Sequence, residues 1–544
     1  VKTACLACAL VVAAQAYAVE PLTVAEASEY TRTSLYHDVV DFIYTVETAS
    51  GLVAVAPLGT SAEGRMIPLV ILSKEDVRTP AELRATGKPA VLIVANIHAG
   101  EVEGKEACQM LIREVASGRL ARLLDHQVIL VIPIFNPDGN DKLGKNRHDH
   151  GPELAGVRFN GQGLDLNRDY TKLESPEVRA LVHLFSTWDP VLMVDMHTTD
   201  GSYHREPVTY ATASNPNTSQ TLMDYMWQKF FPEVARILKQ ESGFDSLPYG
   251  VFNDREHPEN GWVNDAIEAH YGTDYVGLRN RLTILDENYS YADFKTRVLA
   301  SFAFAQAILE FSGAHAAEIA ELVAHADAET AAGYFQRQFV SEATLAKLMD
   351  VTVKSYEFTK EAIKPEDRGK YPPWVHDFLI KPTDVLRDYT VPYLALAKPT
   401  QTVPLALGYV VLPGNDEVVR NLQAHGITLS KLIEGCRMPG ERFAIEKIEP
   451  AKSLYQGHVL LTITGHYENG QFDVPARSVF VDMRQPLARL IPVLLEPTST
   501  DGLAAWGFLN RVLVGEWSRE PESYPVLRVG SRPPVATLLV PTAE

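Results

Sequence analysis

The sequence predicts an α/β protein: a largely parallel or mixed sheet flanked by helices, followed by a smaller β-rich domain. Three observations carry that expectation. Between about residues 30 and 312, short apolar runs alternate with helix-like segments. The runs Ala90 to Ala95, Val128 to Ile134, Val191 to Val194 and Leu282 to Leu285 are almost wholly apolar and rich in Val, Ile and Leu, as strands covered on both faces must be. From about residue 346 the texture changes. Shorter β-prone runs (Leu405 to Leu412, His458 to Thr464, Val474 to Val481) stand between Pro, Gly and Asn turns.

Taken along the chain, residues 1–18 have the form of a secretory leader. Lys2 supplies a positive start, Ala4 to Ala14 an apolar stretch, and Ala16-Tyr17-Ala18 a small-x-small cleavage site. The expected location is therefore secreted or periplasmic. No later run is long and apolar enough to predict a membrane span in the mature protein. Residues 19–315 form the expected α/β domain and 316–345 a helical connector, since Ala292 to about Ala332 is Ala-rich with few breakers. Residues 346–544 form the β-rich C-terminal domain, to which the sequence assigns no role. At 544 residues, with 46% hydrophobic and 22% charged, the chain can bury a large core without staples, so a metal would be functional rather than structural.

The net charge of -19 repels polyanions, which argues against nucleic acid as a partner. Of the four cysteines, two fall in the leader; Cys108 and Cys436 remain, without a CxxC partner, so thiolate zinc sites are excluded.

The residues that can do chemistry stand at the carboxyl ends of the buried runs. After Ala95 comes Asn96-Ile97-His98-Ala99-Gly100-Glu101, which places His98 and Glu101 three apart at a strand-to-helix turn, able to converge on one point. After Val194 comes Asp195-Met196-His197, a second histidine at the end of another buried strand. Two imidazoles and one carboxylate suit zinc and leave a fourth position for water. After Leu285 come Asp286 and Glu287, either of which can serve as general base; they point to opposite faces, so only one can face the site. Between these runs lies Asp165-Leu166-Asn167-Arg168, whose arginine offers a planar fork for a carboxylate.

These residues resemble the zinc carboxypeptidase family, typified by carboxypeptidase A, from about Tyr36 to Gly313. The resemblance begins at Gly59-Thr60-Ser61-Ala62-Glu63-Gly64-Arg65. It continues through the HxxE at His98, the Asn136-Pro137-Asp138-Gly139 turn, Asp165-x-Asn167-Arg168 and His197. It implies one zinc ion on His98, Glu101 and His197, with Asp165 orienting His98. It also implies that Asn167 and Arg168 hold the substrate's terminal carboxylate. The oxyanion-stabilising arginine maps to Arg158, with Arg147 the other candidate, and the general base to Glu287, with Asp286 as the fallback. A family tyrosine near the scissile bond has two candidates, Tyr271 and Tyr275. Gly100 stands where digestive members carry an arginine, so one of their substrate contacts is missing.

The implied activity is a metallocarboxypeptidase that removes C-terminal residues from peptides. Its rivals are a zinc amidohydrolase acting on N-acyl amino acids or cell-wall peptides, and a non-catalytic zinc-binding scaffold. Both enzyme readings expect a peptide or acyl-amino-acid substrate with a free carboxylate.

Overall fold

The computed structural model describes residues 20–148, 150–264, 266–370, 378–513 and 523–541; the leader-like residues 1–18 lie outside them. Its centre is an eight-stranded mixed sheet. The strands are β1 (Val53–Thr60), β2 (Met66–Leu72), β3 (Ala90–Ala95), β4 (Val128–Ile132), β5 (Leu192–Thr199), β6 (Val208–Ala211), β7 (Ser246–Pro248) and β8 (Leu282–Tyr289), in the spatial order β1-β2-β4-β3-β5-β8-β6-β7. The inner four, β4, β3, β5 and β8, run parallel, while β1, β2 and β6 pair antiparallel.

All six residues of β3 and all five of β4 are buried. Leu92, Val94, Leu130 and Ile132 face one apolar cluster, and Val91, Ile93, Ile129 and Val131 face another across the sheet. The period-two split of continuous apolar runs is what a sheet covered on both sides requires.

Helices cover both faces. Glu103–Ala116 and Phe294–Ala314 pack on one side and Pro176–Thr187 on the other. Local chemistry sets their starts: the Ser175 side chain accepts from Val178 N with Pro176 at the first helical position, and Asp293 accepts from Thr296 N. The Ala-rich segment resolves into two helices, Phe294–Ala314 and Ala316–Gly333. Among the described residues, no helix is long and apolar enough to cross a membrane.

Beyond the helices the chain is β-rich. Two long antiparallel strands, Gln338–Ala362 and Phe378–Pro404, share a sheet with Val251–Phe252 and Trp262–Val263 from the first half; Trp262 pairs with Tyr393. A seven-stranded sheet comes next, between Gly408 and Val540. Its strand Gly408–Val411 contributes Tyr409 and Val411 to the same apolar cluster as Leu92 and Val178, so the C-terminal region is packed into the first through a continuous core. From that region a ribbon, Cys436–Pro450 against Leu461–Val474, returns toward the carboxyl ends of the parallel strands, where open α/β sheets bind ligands.

Candidate metal centre and active site

His98, Glu101, His197 and Glu287 sit at or just beyond the carboxyl ends of β3, β5 and β8, whereas Arg158 and Asp165 to Arg168 lie in the segment between β4 and β5. Asn96, the first residue beyond β3, adopts φ 65, a left-handed conformation that asparagine tolerates, and its Nδ2 donates to the carbonyls of Ala99 and Glu101 at 3.3 and 3.2 Å. This turn presents His98 and Glu101 together. His197 lies within β5, which continues through Thr199, two residues beyond His197 and past the apolar run that announces the strand.

His98, Glu101 and His197 are buried and converge. His98 Nδ1 lies 3.1 Å from Glu101 Oε1 and 3.2 Å from His197 Nδ1, and His197 Nδ1 lies 3.0 Å from Glu101 Oε2. Ligand atoms around a tetrahedral zinc, each about 2.0–2.2 Å from the ion, stand roughly 3.3–3.5 Å apart. The spacing here fits such an ion with small adjustments.

The outward nitrogens are supported too. His98 Nε2 lies 3.1 Å from Asp165 Oδ1, and His197 Nε2 lies 3.0 Å from Asp195 Oδ2, at an angle too oblique for a hydrogen bond. A carboxylate behind each imidazole favours the tautomer whose Nδ1 lone pair points inward. Asp195 is absent from the sequence-derived set, yet the Asp-x-His alternation on one strand face is a usable signal for it.

Asp165 also accepts from the backbone N of Asn167 at 3.0 Å and from Arg158 Nε at 2.8 Å. Burial works to raise its carboxyl, but the bond to His98 and the charges of His98 and Arg158 hold it well below the usual range. Glu101 is likewise held low against burial by the two histidines.

In-register pairing of β8 with β5 places Glu287 beside His197 and Asp286 beside Met196. Glu287 lines the cavity above the triad. Asp286 faces the opposite side, where it is completely buried and accepts from Ser301 Oγ at 3.3 Å. Burial pushes both carboxyls up to about 8; for Glu287 the His197 charge opposes this and the Glu101 charge adds to it.

Both arginine candidates reach the cavity. Arg158 is fixed by Asp165, with Nη1 3.6 Å from Glu101 Oε1. Arg147 donates from Nη2 to Glu101 Oε1 at 2.9 Å and is the more exposed, 46% against 32%. Asn167 Oδ1 accepts from the Gly272 amide at 2.8 Å; a Cβ at 272 would meet the Tyr170 ring at 2.8 Å, so glycine permits the approach. Arg168 lies over the Tyr271 ring, 4.3 Å from its centroid. Tyr271 lines the cavity, whereas Tyr275 is fully buried and bonded to His425 Nδ1 at 2.7 Å.

The cavity has a volume of about 280 Å³, and its lining also includes Ala211, Thr212, Thr273 and Asp274. It is at the small end of ligand sites, a size that one amino-acid residue fills. Asp274 accepts from the amides of Ser214 and Asn215 at 2.7 and 2.6 Å, and burial pushes its carboxyl up to about 8. The folded protein therefore keeps this proton up to about pH 8, whereas the unfolded chain releases it near 3.8. Its contribution to stability is full at low pH and lost as pH rises through that window. Asp274→Asn is expected to raise the melting temperature relative to wild type, much more at pH 9 than at pH 5, where only the first part of the loss has occurred. Equal effects at both pH values in thermal scans would refute the assignment.

The remaining family-like segments are structural. Gly59 to Arg65 spans the end of β1 and the turn into β2, and there Ser61 Oγ, Glu63 N and Arg65 Nη1 donate to Asp138 at 2.7, 2.8 and 2.6 Å. Asn136 Nδ2 donates in turn to the carbonyls of Ile97 and Arg158, tying together the two loops that carry His98 and Arg158.

The family model described as zinc carboxypeptidase matches residues 39–242. Carboxypeptidase 2 of Trichophyton tonsurans is 23% identical over 489 residues, covering 86% of this chain and 81% of that protein. Carboxypeptidase D of Mus musculus is 31% identical over 176 residues, 27% of this chain and 13% of that one. Among solved structures, a metallo-carboxypeptidase from Burkholderia cenocepacia aligns with a TM-score of 0.40 at 20% identity, over 52% of this chain and 70% of that one. The stretch 39–242, which holds His98, Glu101 and His197, is the part of the chain that matches the zinc carboxypeptidase family.

Proposed function

We propose that the protein is a metallocarboxypeptidase that hydrolyses the last peptide bond of substrates bearing a free terminal carboxylate, with one zinc held by His98, Glu101 and His197. The observation that carries this reading is that the two-His, one-carboxylate cluster, Glu287 and Arg168 all line one residue-sized cavity. In this assignment residues 19–315 are catalytic, 316–345 connect, and 346–544 form the appended β-rich part. The leader-like residues 1–18 point to export, to the periplasm or beyond the cell.

Bound zinc would polarise the scissile carbonyl and acidify water. The protein's own groups do the rest. Glu287 takes the proton from the attacking water and delivers it to the leaving amine. Arg158, held in place by Asp165, donates to the oxygen on which negative charge develops. Arg168 and Asn167 hold the terminal carboxylate, so that the last peptide bond, and no earlier one, lies against the metal.

Arg158→Ala is expected to lower kcat by about 10²–10³-fold, the usual cost of one such donor. Arg147→Ala, which removes the more exposed guanidinium, is expected to act mainly on KM. Steady-state kinetics showing the reverse pattern would transfer the role to Arg147.

The reading is tested by mass spectrometry of a mixed peptide set incubated with zinc-loaded protein, beside Glu287→Gln. Single residues should leave free carboxyl termini, amidated peptides should survive, and the variant should be silent. Intact peptides together with hydrolysed N-acyl amino acids or cell-wall peptides would establish an amidohydrolase instead.

A further inference from the structure

The C-terminal region reaches residues of the cavity through Tyr455, as well as through Tyr393 and Leu394, which bond to Tyr249 and Asn264. The ribbon Cys436–Pro450/Leu461–Val474 ends in a loop whose tip is Tyr455-Gln456-Gly457-His458. Tyr455 and His458 exchange backbone bonds of 2.9 and 3.0 Å around left-handed Gln456 and Gly457. This is a tight hairpin turn that fixes the direction of both flanking side chains. His458 Nε2 lies 2.9 Å from Glu174 Oε1, which anchors the tip to the first half of the chain.

Tyr455 then meets the carboxylate clamp. Arg168 Nε donates to Tyr455 Oη at 3.1 Å, and Tyr455 Oη lies 3.4 Å from His270 Nε2. His270 Nδ1 donates to Asp501 Oδ1 at 2.9 Å. The same Asp501 oxygen accepts from Trp506 Nε1 at 2.8 Å, and Oδ2 accepts from the His270 backbone N. The donor directions are consistent along the whole chain. With Nδ1–H committed to Asp501, Nε2 of His270 is the acceptor for the Tyr455 hydroxyl proton, leaving the Tyr455 oxygen to accept from Arg168. Arg168 is thereby held on three sides, by Tyr455 at Nε, by the Asn167 carbonyl at Nη1 (2.8 Å) and by the Tyr271 ring beneath.

We infer that Tyr455, oriented through His270 by Asp501, is a positioning residue for Arg168, so that the C-terminal region is part of the terminal-carboxylate site. Arginine loses rotamer freedom when it grips a carboxylate, and a guanidinium already fixed at Nε loses less of it. The inference rests on the carboxypeptidase reading, in which Arg168 is the clamp.

Tyr455→Phe keeps the ring at a partly exposed tip and removes only the hydroxyl. The test compares N-benzoyl-glycyl dipeptides with free and amidated carboxyl termini. Turnover is followed in wild type, and binding in zinc-loaded Glu287→Gln, so that affinity is read without chemistry. Tyr455→Phe is expected to raise KM for the free acid about tenfold with kcat within twofold, to weaken binding of the acid by the same factor, and to leave the amide unchanged. Added to Arg168→Ala, it should have no further effect, because its action passes through that arginine. A wild-type preference for the acid that Tyr455→Phe leaves untouched would overturn the ribbon's role alone. So would equal losses in the presence and absence of Arg168. Wild-type protein that treats acid and amide alike would overturn the clamp, and the ribbon's role with it.

Discussion

Glu287→Gln is expected to lower kcat by about 10²–10⁴-fold, the range that a positioned general base supplies, while zinc content stays at the wild-type level. Glutamine keeps the shape of the side chain and a carbonyl oxygen but cannot accept and return a proton. No ligand atom is lost, because Glu287 faces the cavity beside His197 and is not one of the three converging residues. The control is Asp286→Asn. Asp286 lies on the opposite face of β8 against Ser301, completely buried, so its replacement should change stability and leave kcat within a few-fold. Metal analysis and steady-state kinetics on the two variants decide the matter. A large kcat loss in Asp286→Asn with wild-type turnover in Glu287→Gln would exchange the roles.

That pair also shows where the sequence is informative and where it stops. The apolar runs locate β3, β4, β5 and β8 because strands buried on both faces have few polar positions to blur the pattern. Their ends are less legible. β5 and β8 continue through His197 and Glu287 because functional polar residues occupy the final strand positions, and polarity there looks like termination. The choice between Asp286 and Glu287 needs the register with β5, a relation between segments about ninety residues apart that alternation within one strand cannot supply.

The outer strands β1 and β2 flank the Gly59–Arg65 segment, which the sequence presents only as a family-like motif; its physical task, bracing Asp138, depends on a partner in another loop. The contact of Tyr455 with Arg168 joins positions 287 residues apart and leaves no local trace. Asp195 is different, since its two-residue spacing from His197 is present in the sequence and simply outweighed by the apolar run around it.

His98→Ala is expected to remove zinc altogether and with it all measurable turnover. Three protein ligands are the fewest that hold a catalytic zinc tightly while leaving it an open position, and the vacated volume lies between Glu101 and Asp165, two carboxylates that the imidazole had kept apart. Their mutual repulsion in a buried setting should make the variant less stable as well. The supporting carboxylates should behave in graded fashion. Asp165→Asn and Asp195→Asn leave all three ligands in place and lose only the charge behind one imidazole, so zinc affinity should fall by about 10–100-fold and excess zinc should restore activity. Asp165→Asn is expected to be the more damaging, because Asp165 also fixes Arg158, whereas Asp195 contacts His197 obliquely. Zinc titration by competition with a chromophoric chelator separates the classes: no recoverable site in His98→Ala, a weakened but saturable site in the aspartate variants. Stoichiometric zinc in His98→Ala would remove His98 from the ligand set. An Asp195→Asn variant with unchanged affinity would mean that the oblique contact places His197 without tuning it.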